Sequence, residues 1–133
     1  MINEIQKSFE SEFLPANQYS ALSLAYIGDS VYEIYVRSFL LSKSDQKVNA
    51  LHKQATKFVC ASAQAEFYHR ISGMLTEEEE AVFHRGRNTK SQPPKNAQVS
   101  DYRIATGVES LIGYLYLQDK GERISELMEH LFR

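Results

Sequence analysis

The stretch SALSLAYIGDSVYEIYVRSFLL, residues 20–41, predicts a helix that organises the fold. A polar stripe runs along it at i, i+4 and i+8 through Asp29, Glu33 and Arg37. Because the other sides are almost entirely apolar, we expect a central, mostly buried helix. Its apolar residues recur at helical spacing: Leu24, Ile27, Val31, Ile34 and Leu41.

The rest of the chain also has the pattern of helices joined by short loops, and no segment alternates as a strand does. The predicted fold class is therefore all-α. Thr76 and Glu79 have the spacing of a capping box, which predicts a helix start at that point. The polar segment 86–100 contains Pro93 and Pro94 and predicts an exposed loop. The other predicted helices cover residues 3–13, 47–71, 76–86, 101–118 and 121–132.

Bulk properties are those of one globular domain, residues 1–133, with a net charge of −2. This charge gives no general attraction to nucleic acid. The single cysteine, Cys60, excludes an internal disulfide and fits a reducing cytoplasm. Charged residues such as Asp29 and Arg37 interrupt the longest apolar run, so we expect no membrane span.

Positive charge is concentrated locally even though the chain is mildly acidic. Residues 81–100 contain no Asp or Glu and hold Arg85, Arg87, Lys90 and Lys95. A basic segment of this kind can bind a polyanion such as RNA. An ordinary solvated loop is the alternative. A second basic group lies earlier in the chain: Lys43, Lys47, Lys53 and Lys57.

Two carboxylates have glycines beside them on predicted helices. Gly28 precedes Asp29, and Glu109 shares a helix face with Gly113. Two helices that cross at these glycines would bring the carboxylates together, and paired carboxylates suit Mg²⁺. Mg²⁺ beside a basic surface indicates phosphodiester hydrolysis. Spacing alone leaves the alternative that Asp29 belongs to a solvent-exposed stripe.

Three segments together resemble the catalytic domain of the ribonuclease III family. LSLAYIGDSVYEIYV (22–36) is similar to the family signature helix, and IATGVESLIGYLYL (104–117) is similar to the helix with the second metal site. HRGRNTKSQPPKNAQ (84–98) lies where the family has a basic segment. The resemblance covers about residues 18–130 and is closest to the short bacterial form, Mini-ribonuclease III.

This resemblance implies a helical bundle with the ribonuclease III endonuclease fold. It implies that Asp29 and Glu109 are catalytic residues that bind Mg²⁺. Three other family positions have no acid here, because they hold Leu22, Ala25 and Thr106.

The resemblance also implies a Mg²⁺-dependent endoribonuclease that cuts double-stranded RNA and leaves 5′-phosphate and 3′-hydroxyl ends. We expect a homodimer with two active sites facing one duplex. No double-stranded-RNA-binding domain is expected, so the catalytic domain would hold RNA itself, through Arg85, Arg87, Lys90 and Lys95. The implied substrate is precursor large-subunit (23S) ribosomal RNA. Implied partners are a ribosomal protein or the pre-ribosome.

Two other hypotheses stay open at this point. The missing acids at Leu22 and Thr106 also fit a non-catalytic module with the same fold that binds RNA or the ribosome. An all-α nucleotide pyrophosphohydrolase would need several acids on one helix face. Residues 77–80 are four consecutive glutamates, which point around a helix and argue against that enzyme.

Overall fold

The protein is all-α, as the sequence predicts. The computed structural model describes residues 1–90, 92–95 and 98–133, and every regular element within these ranges is helical. None of these helices is long and apolar enough to cross a membrane. Two short 3-10 turns cover Ala16–Gln18 and Ser72–Met74. The α-helices are α1 (Ile2–Lys7), α2 (Ala21–Lys43), α3 (Val48–Val59), α4 (Ala61–Ile71), α5 (Glu77–Arg87), α6 (Val99–Leu117) and α7 (Gly121–Phe132).

Helix α6 occupies the centre of the bundle. It packs against α2, α4 and α5 and more lightly against α7. Val108, Leu111 and Ile112 are completely buried between these helices. Burying such side chains removes apolar surface from water and is the main force that holds the helices together.

Helix α2 is less buried than the sequence predicts. Its inner face, with Leu24 and Val31, packs in the core, but Ile34 is 48% exposed and Leu41 is 58% exposed. The prediction of a mostly buried helix is therefore wrong for the outer face. Helix α2 packs mainly against α6 and less extensively against α3 and α5, which leaves these outer side chains exposed.

Helices α2 and α6 touch through their backbones. A Cβ atom added to Gly28 would overlap the carbonyl oxygen of Glu109 and lie 2.7 Å from the backbone nitrogen of Gly113. A Cβ added to Gly113 would overlap the carbonyl oxygen of Leu24. The predicted crossing at the two glycines is therefore confirmed, and only glycine permits so close an approach.

Three of the four glutamates at the start of α5 also bond to residues of other helices. The predicted capping box is present, with Thr76 and Glu79 bonded in both directions. Buried Glu79 also accepts hydrogen bonds of 2.8 and 2.9 Å from Arg123, which hold its pKa below the usual range. Glu78 accepts from the Tyr114 hydroxyl, and Glu80 from the Tyr68 hydroxyl. These contacts attach α5 to α4, α6 and α7.

The predicted single helix over 47–71 is wrong, because the chain breaks at Cys60 into α3 and α4. Cys60 has an extended backbone, with φ −66° and ψ 158°. The carbonyl oxygens before the break find side-chain donors elsewhere. The Tyr32 hydroxyl donates to the Phe58 oxygen at 2.6 Å, and the Gln64 amide donates to the Val59 oxygen at 3.0 Å. Side chains thus compensate for the interrupted helix.

The predicted helix over 3–13 is also wrong in extent, because α1 ends at Lys7. The Ser8 hydroxyl donates to the Ile5 oxygen at 2.6 Å, which competes with further helical bonding. The other boundaries agree with prediction within two residues. The predicted loop 86–100 is shorter, since α5 runs to Arg87 and α6 begins at Val99. Within it, Ser91, Asn96 and Ala97 lie outside the described residues.

We predict that Gly28→Ala destabilises the fold by about 3 kcal/mol, since the added methyl forces two helix backbones apart. This exceeds the gain of about 1 kcal/mol in helix propensity. Urea unfolding measures the difference. Gly73→Ala is the matched control, since an added Cβ there meets nothing within 4 Å. Equal stability of the two variants would contradict the tight crossing.

Candidate active site

The crossing of α2 and α6 brings Asp29 and Glu109 together. Asp29 is exposed on α2, and Glu109 is partly buried on α6. Asp29 directly follows Gly28, whose added Cβ would overlap the Glu109 carbonyl oxygen, and the charge of Asp29 acts on the Glu109 carboxyl. The exposed position of Asp29 fits the polar-stripe alternative as well, but its contact with Glu109 gives this aspartate a specific partner.

Glu109 has a strongly perturbed acidity. Burial, followed by the charge of Asp29, raises the pKa of its carboxyl from 4.5 to about 8. A hydrogen bond with Asp29 and the charge of Glu33 act in the same direction, while a hydrogen bond from Gln64 opposes them. Desolvation and like charges both disfavour the ionised form, so the surrounding protein supplies too little positive charge to offset them.

The two carboxyl groups fit a hard divalent cation. Their oxygen atoms are ligands that Mg²⁺ prefers, and a cation would relieve the repulsion between them. The described residues contain no group of three or more His, Cys, Asp or Glu side chains placed to hold one ion. Water and substrate oxygens would therefore complete the coordination shell.

The family positions without an acid have other environments. Leu22 is 45% exposed, and Ala25 is buried. Thr106 is also buried, and its hydroxyl donates to the Tyr102 oxygen at 3.1 Å. None of these three side chains supplies a carboxylate beside Asp29 and Glu109.

Sequence reasoning missed Gln64, which contacts the candidate site directly. Its amide nitrogen lies 3.3 Å from Oε2 of Glu109 and 3.0 Å from the Val59 oxygen. The side chain is on α4 and only 3% exposed. The sequence signal for Gln64 is a polar residue within the run of small residues ASAQA (61–65). The prediction of one continuous helix over 47–71 gave no reason to place this residue at the site.

The predicted RNA-binding residues lie at the end of α5 and in the segment that follows it. Arg85 and Arg87 lie in the last turn of α5 and flank Gly86, whose added Cβ would lie 2.9 Å from the Gly107 Cα. Both arginines are exposed. Lys90 and Lys95, in the segment that follows, are exposed as well. Glu109 is two residues beyond Gly107 and points to a different face of α6, so α5 packs beside the helix that carries Glu109 and not against its carboxyl group.

Comparison with known proteins identifies the family of this chain. The family model of the Ribonuclease III domain matches residues 22–120. The Mini-ribonuclease 3 of Clostridium tetani is 54% identical over 84% of this chain and 76% of its own length. The Mini-ribonuclease 3 of Enterococcus faecalis is 51% identical over 84% of this chain and 86% of its own.

The fold has a solved counterpart. A crystal structure of a protein from Fusobacterium nucleatum matches with a TM-score of 0.81 and 30% identity, over 92% of this chain and 97% of that one. The helical bundle, the family match and the curated relatives agree. The chain therefore belongs to the ribonuclease III domain family, in the group of the Mini-ribonucleases 3.

Proposed function

We propose that this protein is a Mg²⁺-dependent endoribonuclease that cleaves double-stranded RNA. The observation that carries the proposal is the contact of Asp29 with Glu109 at the glycine crossing, in a chain of the ribonuclease III domain family. The names of the relatives support a ribonuclease. Cleavage of a duplex in the presence and absence of Mg²⁺ tests the proposal directly.

Asp29 and Glu109 would hold the metal in this proposal. When bound, Mg²⁺ supplies Lewis acidity that makes water a better nucleophile and balances charge on the phosphate. Glu109 sits on the most buried helix, so its carboxylate has a fixed position. Exposed Asp29 provides the open side from which RNA approaches. Products with 5′-phosphate and 3′-hydroxyl ends are expected from the family chemistry.

The basic residues would hold the RNA. Arg85 and Arg87 project from a helix that is attached on three sides, so their charges lie on a rigid support. Lys90 and Lys95 extend the positive surface into the next segment. Arginine can bind phosphate in a bidentate manner, and A-form duplexes are recognised mainly through shape and backbone.

A homodimer is part of the proposal. The outer face of α2 exposes large apolar side chains close to Asp29, of which Tyr26 is 83% exposed and Leu22 is 45% exposed. Exposed apolar surface of this kind is typical of a protein interface. Two copies joined here would place two sites on one duplex. Sedimentation of the wild type and of Tyr26→Glu measures this, and we expect a dimer and a monomer respectively.

Precursor 23S ribosomal RNA is the proposed substrate, by extension of the likeness to Mini-ribonuclease III. A ribosomal protein or the pre-ribosome would then be a partner, in the cytoplasm. The absence of an internal disulfide framework around Cys60 is consistent with that compartment.

One observation still supports the alternative hypothesis of a non-catalytic RNA-binding module: positions 22 and 106 hold Leu22 and Thr106 and no acid. Duplex binding without cleavage at every Mg²⁺ concentration would favour it. The pyrophosphohydrolase hypothesis loses its basis, because Glu78, Glu79 and Glu80 bond to Tyr114, Arg123 and Tyr68.

We predict that Asp29→Asn and Glu109→Gln each lower single-turnover cleavage by at least 100-fold, because each removes one of two charged metal ligands. Both changes keep the side-chain volume, so duplex binding in the absence of metal should stay within about twofold of wild type. Asp45→Asn and Glu122→Gln, at exposed acids elsewhere, are the matched controls. Full activity of Asp29→Asn would refute the metal site.

We predict that Glu109 makes the metal-free protein less stable as pH rises. Its folded pKa lies above its unfolded value, so the folded state binds the extra proton between pH 4.5 and 8. Stability from this group is complete below pH 4.5 and is lost as pH rises through 8, by at most about 1.4 kcal/mol per unit.

The measurement is urea unfolding in chelator, with Glu109→Gln as reference. As pH rises, the unfolding free energy of wild type should fall relative to that of Glu109→Gln. Mg²⁺ should stabilise wild type more at pH 8.5 than at pH 6, since metal and proton compete for one carboxylate. A pH-independent difference would refute the raised pKa.

We predict that Arg85→Gln and Arg87→Gln weaken duplex binding without regard to sequence. Loss of one phosphate contact should also reduce the slope of log K against log salt by about 1. Filter binding at several salt concentrations measures both quantities. Arg133→Gln is the control, an exposed arginine at the end of the chain. If all three variants behave alike, Arg85 and Arg87 do not hold RNA.

A further inference from the structure

Gln64 is a buried polar side chain that contacts the candidate active site. It is 3% exposed and lies on α4, while Asp29 and Glu109 lie on α2 and α6. Its amide spans the gap between the Val59 oxygen at 3.0 Å and Oε2 of Glu109 at 3.3 Å. A third helix therefore contacts the candidate metal-binding pair.

Hydrogen-bonding chemistry fixes the orientation of this amide. The Val59 carbonyl can only accept, so the NH₂ group of Gln64 must face it. The same NH₂ group is within reach of Glu109, so both of its hydrogens have acceptors. The Oε1 atom of Gln64 is left buried without a partner among the described residues. A flipped amide would place an oxygen against two acceptors, which is unfavourable.

The break between α3 and α4 gives the Gln64 amide its anchor. Since the helix stops at Cys60, the Val59 oxygen has no continuing helical donor and accepts from Gln64. The Tyr32 hydroxyl likewise donates a hydrogen bond of 2.6 Å to the neighbouring Phe58 oxygen. These hydrogen bonds hold the backbone at the break in place. The Gln64 amide is bonded to that backbone and is therefore held in a fixed position against Glu109.

We propose that Gln64 is a positioning residue: it holds the Glu109 carboxylate in the orientation that pairs with Asp29 and so sets the affinity of the site for Mg²⁺. This inference rests on the proposed function, in that it takes Asp29 and Glu109 as the metal-binding pair. Groups that orient metal ligands through hydrogen bonds commonly change metal affinity or activity by 10- to 100-fold when they are removed.

The decisive variant is Gln64→Met, which keeps the length of the side chain and removes the amide. Calorimetric titration with Mg²⁺ alone should show at least about 10-fold weaker binding than wild type. The Mg²⁺ concentration for half-maximal single-turnover cleavage should rise by the same factor, while duplex affinity in chelator stays within about twofold. A merely structural role would lower stability without this selective change in metal dependence.

Gln54→Met is the matched control. Gln54 lies on α3, and its amide donates to Gln46 at 2.8 Å and not to Glu109. If Gln64→Met does not fold, Gln64→Leu replaces it: this variant also removes the amide and adds no charge beside Glu109, and weaker Mg²⁺ binding is again expected. Wild-type Mg²⁺ affinity in either folded Gln64 variant would overturn the positioning role alone.

Mg²⁺ binding and duplex cleavage by the wild-type protein distinguish a failure of this inference from a failure of the proposed function. Wild type that binds Mg²⁺ but cuts no duplex would overturn the proposed function, and the Mg²⁺ titration of Gln64→Met would still decide the positioning role. Wild type that takes up no Mg²⁺ would overturn both.

Discussion

The backbone contact between Gly28 and Gly113 is the constraint on which the rest of the structure depends. Helices that carry side chains at their contact keep their axes 8–10 Å apart, whereas here an added Cβ would overlap the facing backbone. This close approach puts Asp29, the neighbour of Gly28, against Glu109, one turn before Gly113. The same two glycines thus shape the bundle and create the carboxylate pair, so fold and candidate site cannot change independently.

A second glycine contact places the basic residues. Gly86 on α5 meets Gly107 on α6, so the arginines on either side of Gly86 lie beside the helix that carries Glu109. Contacts at the start of α5, above all the buried Glu79–Arg123 pair, fix the angle of this helix. Two glycine contacts on the same helix, α6, therefore place both the Asp29–Glu109 pair and the helix that carries the exposed arginines.

Much of this arrangement was predictable from sequence because local rules agree with tertiary packing. Helix periodicity predicted α2, α6 and α7, and the capping box predicted the start of α5. The break at Cys60 was not predictable, because the donors that stabilise it, Tyr32 and Gln64, act through tertiary contacts. Gln64 was missed for the same reason. The exposure of Ile34 was missed because periodicity identifies an apolar residue but not whether anything covers it.

The small number of acids in the site has a physical consequence. Burial, together with the charges of Asp29 and Glu33, already raises the pKa of Glu109 to about 8. Carboxylates in place of Leu22 and Thr106 would add repulsion in the metal-free protein, while giving the metal more ligands. In the proposed metal site, the pair would favour a stable metal-free fold at some cost in metal affinity. The orientation of each of the two ligands would therefore matter more, and a buried amide against Glu109 is where such control would act.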